Sequence, residues 1–417
     1  MHLFLPFLPL VLAFPTLTPR SPSPNPNPNP NPNVNPNVNR RAAAPITSQF
    51  PYSGAKSNGL PGLGIGNVLV PNPADTAHAF QPPPPGAQRG PCPGMNALAN
   101  HGFISRDGIT TFDELVQAQQ NVFNVGYDLA VLLATLGVGL DGDIVTGKLS
   151  IGGDATSKTA LLGLGLLGKE GGLDTHNTFE ADASLTRSDF FLPTSNGDNH
   201  SFNSTLFSMM TSTVSTTSSP SAPLYDLKGL SLYRAQRWSQ SVAENPNFYF
   251  GPKALLLYGA ATFLYELYPT NGGLPDKSTI STFFGAVPSP SSPSGYTSQP
   301  ERIPPNWFSR STPYTIPDVA IQILEMYTGN PVLFGGNTAD GHFDAIFTSD
   351  GLINNGSLSA DITGTQLACL IYQIVATDET PDSLSNVLKL PIEILNFITG
   401  KLNPIFEPLG CPLNTNP

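Results

Sequence analysis

Residues 91–102 read PCPGMNALANHG, and the chemistry of this segment centres on Cys92. Pro93 suits the first position of a helix, because its ring fixes a helical φ and its missing N–H would have no partner there. The spacing therefore predicts a helix that begins at Pro93, with Cys92 as its N-cap and Gly102 as its C-terminal stop. Free amides and the positive end of the helix dipole favour a thiolate, so Cys92 is a candidate metal ligand. The alternative is a buried and inert cysteine.

The same segment, with Arg106-Asp107-Gly108 after it, closely resembles the proximal loop of the fungal haem-thiolate peroxidases, which include the chloroperoxidases and the unspecific peroxygenases. The resemblance extends from about Pro51 to Cys411. It implies a mainly α, single-domain, chloroperoxidase-like fold of the long-chain type around a haem b, with Cys92 as the axial ligand of the iron. It also implies that hydrogen peroxide drives the oxidation or oxygenation of small apolar or aromatic molecules.

Composition narrows the range of partners. The 417-residue chain has a formal charge of −11 at pH 7 and only three cysteines. An acidic chain argues against nucleic acid or an anionic membrane as a partner, because both attract basic surfaces. Apart from a short apolar run at the amino terminus, no segment approaches the length of a membrane span. We expect a monomer, and the sequence leaves a dimer open.

The first 41 residues carry signals of export rather than of a folded core. The apolar run from Leu3 to Phe14 predicts a secretory signal peptide that ends near residue 19. Residues 20–41 form an Asn-Pro-rich pro-segment ending in Arg40-Arg41, which is either a processing site or a solvated charge pair. We therefore expect an extracellular protein whose haem-thiolate peroxidase domain spans residues 42–417.

Three glycosylation sequons begin at Asn199, Asn203 and Asn355. The first two fall in the polar segment from Thr194 to Ser221, which predicts an exposed loop. Because sequons arise by chance, they support export only weakly.

Helical spacing dominates the rest of the chain. A capping-box pattern at Thr111-Phe112-Asp113-Glu114 is followed by apolar residues from Leu115 to Leu136, which predicts one long amphipathic helix. Further helical patterns cover residues 254–268, 317–328, 366–375 and 391–402. Alternation typical of strands is missing from the sequence, so the residues too predict a mainly α fold with long loops.

A second motif, HNTFEADASLTR over residues 176–187, resembles the family's Glu-Gly-Asp magnesium motif. The resemblance implies that Glu180, the carbonyl of Ala181 and Ser184 hold a magnesium ion against a haem carboxylate. Independently, Glu180 and Ser184 are four residues apart and offer the hard oxygen ligands that magnesium prefers. The alternative is a helix start with a solvated carboxylate. His176 is either a further ligand of the ion, or a polar residue that lies near the haem edge or has a capping role.

The acid–base residue of the family is replaced in this chain. Long-chain members carry a glutamate directly after a Tyr-Gly or Tyr-Ala pair, where it moves a proton between the two oxygens of peroxide. Here Tyr258-Gly259 is followed by Ala260, and Lys253 lies roughly where the family has an arginine.

Two other carboxylates are candidate substitutes for the missing glutamate. Glu244 lies seven residues after Arg237, and Glu266 lies six residues after Ala260. Each has a structural or surface role as its alternative. The loss also keeps two other functions open, namely a dedicated oxidase of a secondary-metabolite pathway and a haem-binding protein with weak catalysis.

The resemblance implies two further features. Phe179, Phe190 and Phe191 are candidates for the wall of an apolar substrate channel, with core packing as the alternative. Cys369 and Cys411 match positions that a disulfide joins in the long-chain peroxygenases, the alternative being two unpaired thiols.

Overall fold

The computed structural model describes residues 42–165, 168–178, 180–338, 340–348, 351–376 and 391–414. These residues fall within one compact unit, Arg40–Pro417. The signal peptide and the pro-segment predicted for residues 1–41 lie outside the described residues, as does Phe179.

Helices make up most of the regular structure, so the predicted mainly α class is confirmed. They are α1 (Pro93–His101), α2 (Phe112–Phe123), α3 (Tyr127–Asp141), α4 (Thr156–Thr159), α5 (Ser204–Thr217), α6 (Leu227–Glu244), α7 (Leu255–Glu266), α8 (Lys277–Phe283), α9 (Ile316–Gly329), α10 (Gly364–Ala376) and α11 (Ile392–Phe406). The helices predicted over 254–268, 317–328, 366–375 and 391–402 correspond to α7, α9, α10 and α11.

Short antiparallel strand pairs occur in the loops between these helices. The strands are β1 (Ile109–Thr111), β2 (Lys148–Ser150), β3 (Tyr249–Phe250), β4 (Ala286–Pro288), β5 (Tyr296–Ser298), β6 (Gly335–Asn337), β7 (Phe343–Ala345), β8 (Ile353–Asn354) and β9 (Ser357–Leu358). β1 pairs with β2, β4 with β5 and β8 with β9, while β6 lies between β3 and β7. Each is only two or three residues long, which is too short for alternation to show in the sequence.

The helix at Cys92 has the predicted bounds. α1 begins at Pro93, Cys92 is its extended N-cap, and Gly102 closes it in the left-handed region at φ 75°. The amide of Gly102 donates to the carbonyls of Leu98 and Ala99. The proline start and the glycine stop thus decide both ends of the helix.

The long helix predicted over residues 115–136 is wrong, because the chain breaks it into α2 and α3. Asn124 takes a left-handed conformation at φ 54° and ends α2. Gly126 then caps α3, and its amide donates to the carbonyl of Tyr314. The capping box is half right: Thr111 accepts a hydrogen bond from the amide of Glu114, but the Glu114 carboxylate bonds Ser105 and Thr110 instead of the N-cap amide.

The exposed loop predicted between Thr194 and Ser221 is also wrong, because half of it forms α5 (Ser204–Thr217). Asn203 caps this helix by accepting hydrogen bonds from the amides of Thr205 and Leu206. The buried face of α5, with Phe207 and Met210, packs against α6. Serines and threonines at the solvent positions hid this apolar face in the sequence.

The same elements decide which sequons are accessible. Asn199 is buried, and its Nδ2 donates to the carbonyl of Asp174, 2.9 Å away. Asn203 is half-buried, and its Nδ2 donates to Ser188 Oγ at 2.9 Å. Asn355 is exposed in the turn between β8 and β9. Asn355 is therefore the sequon whose amide nitrogen is open to modification in the fold.

Helices α6, α7 and α9 pack against one another, and α3 packs against both α2 and α11. Cys369 on α10 and Cys411 are joined by a disulfide with a Cα–Cα distance of 5.1 Å. Within the described part of the chain, none of the helices is long and apolar enough to span a membrane.

Candidate active site

One cavity brings together the two sequence motifs. Cys92 lines it, and so do Glu180, Ala181 and Ser184, although the two motifs are almost ninety residues apart in the chain. The remaining wall is largely aliphatic and comes from α3, α7 and α9, as in Leu132, Leu256 and Ile323. The fold thus places one sulfur and a few oxygens in an apolar enclosure, which is the usual composition of a small-molecule site.

Cys92 is held at the amino end of α1. Burial raises the pKa of its thiol, while the nearby amides of Met95 and Gly94 and the positive charge of Arg187 lower it. Burial is the largest of these effects, so the amides alone do not hold the sulfur as a thiolate. A metal at the sulfur would supply the missing stabilisation of its charge.

Hydrogen bonds between Asn96 and Gly90 close the turn that carries Cys92. Asn96 Oδ1 accepts from the amide of Gly90 at 3.1 Å, and Asn96 Nδ2 donates to the carbonyl of Gly90 at 2.9 Å. The same Nδ2 donates to Glu301 Oε1 at 3.0 Å, and Arg187 Nη2 lies 3.6 Å from that carboxylate oxygen. The asparagine of the PCPGMN motif therefore ties both ends of the turn together.

The Glu180 loop presents oxygen atoms to the cavity. Glu180 Oε2 lies 3.0 Å from His176 Nδ1, whereas the buried Oε1 has no hydrogen-bond partner among the described residues. Burial raises the pKa of the Glu180 carboxyl, and the contact with His176 only partly offsets this effect. An unpartnered buried carboxylate oxygen beside the cavity is what a cation ligand would look like before the cation binds.

The backbone of this loop is held from behind by α6. Ala183 sits in the left-handed region at φ 60°, an uncommon conformation for a residue with a Cβ. Its amide donates to Asp189 Oδ1 at 3.0 Å, and its carbonyl accepts from Arg234 Nη1. Arg237 Nε donates to the carbonyl of Ser184 at 2.8 Å. These contacts fix the direction in which the loop carbonyls point.

His176 lies behind Glu180 and outside the cavity lining. Its ring stacks on Phe190, with centroids 5.1 Å apart, and meets Phe191 edge-on at 5.2 Å. Burial opposes its protonation, but the hydrogen bond to Glu180 and the charge of Asp182 outweigh burial and raise the pKa of His176. His176 therefore orients Glu180 and does not face the cavity. Phe190 and Phe191 pack on this histidine outside the cavity lining, but Phe190 is half-buried and Phe191 is exposed, so neither is a core residue.

Side-chain ligands alone do not form a metal site here. No group of three or more His, Cys, Asp or Glu side chains in the described part of the chain is arranged to hold a metal. A magnesium ion at Glu180 would therefore draw on the Ser184 hydroxyl, the Ala181 carbonyl, water and a carboxylate from outside the chain. Magnesium commonly keeps several waters, so this ligand set is chemically adequate.

The opposite wall carries Gly259 and Ala260, both of which line the cavity. Position 260 thus faces the cavity but offers only a methyl group. Burial raises the pKa of the Asp141 carboxyl well above its ordinary value, and the positive charge of nearby Lys253 offsets only part of that rise. Lys253 is not among the described residues of the lining, so it does not supply a cation to the cavity.

Neither proposed substitute for the missing glutamate lines the described cavity. Glu244 is exposed at the end of α6, where its Oε2 accepts from Gln240 at 3.1 Å. Glu266 Oε2 lies 3.2 Å from Arg310 Nη2, and its Oε1 accepts from Gln322. Spacing in the sequence suggested both, but the direction of the helices turns them away from Cys92.

Sequence reasoning missed Arg234. This residue of α6 lines the cavity, is 1% exposed, and has two nitrogens, Nε and Nη2, without a hydrogen-bond partner among the described residues. Burial lowers its pKa to about 10. A signal was available, because the buried positions Leu230, Arg234, Arg237 and Ser241 recur at helical spacing on one face.

The residues suit a haem. Its flat apolar ring matches the aliphatic wall, and its iron matches the buried sulfur of Cys92. A carboxylate of the haem matches a cation held by the Glu180 oxygen that has no partner among the described residues. Such a cation would bridge two negatively charged groups that otherwise repel each other.

Comparison with known proteins agrees with the site. The family described as "Peroxidase, family 2" matches residues 78–312. The chain is 33% identical to an aromatic peroxidase of Fusarium equiseti, over 80% of this chain and 78% of that protein. It is 31% identical to a dothistromin biosynthesis peroxidase of Dothistroma septosporum, over 80% and 81% of the two chains.

A third relative is similar over a shorter region. The chain is 40% identical to an aromatic peroxygenase of Coprinellus radians, over 49% of this chain and 74% of that protein. With a family match over more than half of the chain and relatives more than 30% identical over 80% of it, the chain belongs to the fungal haem-thiolate peroxidases and peroxygenases, which are haem-containing oxidoreductases that use peroxide.

Proposed function

We propose that this chain is a peroxygenase in which the sulfur of Cys92 would bind the iron of a haem b, and in which small apolar molecules would be oxygenated in the cavity that Cys92 lines. The observation that carries the proposal is the single cavity lined by Cys92 and by Glu180, Ala181 and Ser184. Chemistry that needs both a soft sulfur ligand and hard oxygen ligands in one apolar space is typical of a haem-thiolate site.

Different residues of the chain stabilise the sulfur ligand and form the apolar wall of the cavity. The haem, when bound, supplies the iron at which peroxide is activated. The amides of Gly94 and Met95 stabilise negative charge on the sulfur of Cys92, because both lie at the positive end of α1. Leu132, Leu256 and Ile323 give the cavity an apolar wall that excludes water and accepts an apolar substrate.

We propose further that a magnesium ion binds Glu180, Ser184 and the carbonyl of Ala181, where it holds a haem carboxylate. We expect Glu180→Gln to lower the magnesium content of the purified holoenzyme from about one ion per chain to nearly none, because the amide loses the charge that holds the ion. Elemental analysis measures this directly. Glu266→Gln is the matched control, since Glu266 is engaged by Arg310 outside the cavity lining. Equal magnesium in both variants would place the ion elsewhere.

We also propose that the protein is exported and works outside the cell. The Cys369–Cys411 disulfide supports this, because such bonds persist in oxidising compartments. Expression of the full chain should deliver protein to the medium with an amino terminus near Ala42. Retention of all the protein in the cell would contradict the proposal.

A second candidate function is a dedicated oxidase of a secondary-metabolite pathway. Ala260 favours it, because a cavity without a built-in acid–base group suits a narrow choice of substrates better than a broad one. One relative, 31% identical, is named as a dothistromin biosynthesis peroxidase, which is consistent with such a role.

Steady-state turnover with hydrogen peroxide separates the two candidates. A neutral aromatic substrate such as naphthalene should be oxygenated well above the rate of free haem if the enzyme is a generalist. A rate equal to that of free haem would rule out the generalist and leave an enzyme of narrow substrate choice, either a dedicated oxidase or a peroxygenase that needs a carboxylate on its substrate.

A further inference from the structure

We propose that Arg234 is a carboxylate-binding site on the cavity wall, and that a carboxylate on the substrate supplies the acid–base group that is missing at position 260. This inference rests on the proposed function, because it concerns how the same cavity uses peroxide. It names the substrate class as apolar molecules that carry a carboxylate.

The buried guanidinium of Arg234 has no negatively charged partner among the described residues. The side chain is 1% exposed, and its only hydrogen bond within the described structure runs from Nη1 to the carbonyl of Ala183. Nε and Nη2 have no partner among the described residues, and no ion pair reaches this guanidinium there. A buried charge without a counter-ion is costly, so the site is incomplete without a negative ligand.

Aromatic rings hold the guanidinium in place. Its carbon lies 5.5 Å from the ring centroid of Tyr258 and 5.8 Å from that of Phe250. These contacts stabilise a cation partially and restrict its direction. The edge of the guanidinium that carries Nε and Nη2 remains able to bind a planar anion. A carboxylate fits such an edge, because it accepts two parallel hydrogen bonds from a guanidinium.

The position of Arg234 relates it to the missing glutamate. Arg234 and Ala260 line the same cavity, and Tyr258, which contacts the guanidinium, precedes Ala260 by two residues on α7. The methyl group of Ala260 leaves space where a glutamate side chain would otherwise reach into the cavity. Arg234 is the one cation in the described lining, so a substrate carboxylate that enters this space has a single partner to bind.

The proposed reaction consumes only hydrogen peroxide and the substrate. A carboxylate bound to Arg234 takes the proton from one oxygen of hydrogen peroxide and returns it to the other, which leaves as water. The remaining oxygen is inserted into a C–H bond of the substrate, so that hydrogen peroxide and R–H give R–OH and water. The carboxylate is regenerated, and no further oxidant or reductant is required.

A carboxylate at Arg234 has two possible sources, the substrate and the haem. The experiment compares dodecanoate with methyl dodecanoate, which share a chain and differ in the negative charge, in the purified holoenzyme. We expect kcat/KM for dodecanoate to exceed that for the ester by about 10²–10⁴-fold, the usual contribution of a positioned acid–base group. A spectral titration of the resting enzyme should show saturable binding of dodecanoate, and Arg234→Leu should abolish that binding.

Two further variants test the proposal even if Arg234→Leu does not fold. Ala260→Glu restores a fixed carboxylate, so it should raise turnover of the ester by about 10²–10⁴-fold and remove the preference for the acid. Arg237→Lys is the matched control, because Arg237 supports the same loop but has Asp189 as its partner at 3.0 Å. It should leave the ratio of acid to ester unchanged.

The outcomes separate the alternatives. Equal turnover of acid and ester, combined with loss of haem from Arg234→Leu, would overturn the proposal and assign Arg234 to a haem carboxylate. Turnover of both substrates without any effect of Ala260→Glu would overturn it as well. Absence of peroxide-driven turnover from every variant, Ala260→Glu included, would instead overturn the proposed function on which the inference rests.

Discussion

Gly94 lies in α1 against the side chain of Tyr268, which leaves too little room for a Cβ at this position. A Cβ there would lie 2.7 Å from the hydroxyl oxygen of Tyr268, and Tyr268 lines the same cavity as Cys92. Alanine ordinarily improves a helix over glycine by about 0.5–1 kcal/mol. The close approach reverses this preference, because the buried phenol has to move.

We expect Gly94→Ala to lower the free energy of unfolding by about 1–3 kcal/mol, the usual range for overpacking in a core. Tyr268→Phe removes the hydroxyl, so the double variant should recover most of that loss. Urea unfolding of the four proteins of the double-mutant cycle measures the coupling. If the two changes were simply additive, the contact would not be the cause.

Local sequence predicted the position of Cys92 at the start of α1, because proline and glycine lie at fixed offsets from it. The resemblance to the family singled out Glu180 and Ser184, and the fold brings both into the cavity that Cys92 lines. Arg234 was missed because its importance comes from what it lacks, namely a partner for Nε and Nη2. Only the packing of α6 against the loop at Ala183 reveals that.

The disulfide between Cys369 on α10 and Cys411 ties the end of the chain to a buried helix. It spans 42 residues of sequence. The loop-entropy account gives a stabilisation of about 4 kcal/mol for a loop of this length, because the closed loop restricts the unfolded chain.

Replacing both cysteines with alanine should therefore lower the free energy of unfolding by about 4 kcal/mol, as measured by urea denaturation of the holoenzyme. The visible spectrum should keep its shape, since Cys92 is untouched. A loss below about 1 kcal/mol would mean that packing of α10 on α9 already fixes this region.

Helix boundaries could be predicted where a residue dictates the backbone and not where tertiary contacts decide. Pro93 and Gly102 fixed α1 correctly. The break between α2 and α3 depends on Asn124 in the left-handed region and on Gly126 bonding Tyr314, which is distant in sequence. α5 was hidden because its solvent face is rich in serine and threonine.

His101 links three separate segments of the molecule at the carboxyl end of α1. Its Nδ1 lies 2.9 Å from the carbonyl of His78, and the amide of Ile303 donates to its Nε2 at 3.1 Å. Both ring nitrogens are thus used by the neutral imidazole. Burial is the main cause that lowers the pKa of His101 to about 4 from its ordinary value of 6.5.

This difference makes the stability of the whole molecule depend on pH. Between about pH 6.5 and about pH 4 the unfolded chain binds a proton at His101 and the folded chain does not, so stability falls as the pH falls. Over the full window the loss is about 3 kcal/mol. We expect His101→Gln to be less stable at pH 7 but to show a flatter profile between pH 6.5 and 4. Parallel profiles for the two proteins would show that His101 does not titrate in this window.

The proposed activity depends on a bond between the sulfur of Cys92 and the haem iron. The most direct test is the absorption spectrum of the purified protein in its ferrous, carbon-monoxide-bound form, recorded for the wild type and for Cys92→Ser. A thiolate ligand gives a Soret band shifted strongly to the red, and we predict this band for the wild type and its loss in Cys92→Ser. A wild-type spectrum of the histidine-ligated kind, or a red-shifted band that persists in Cys92→Ser, would contradict the assignment.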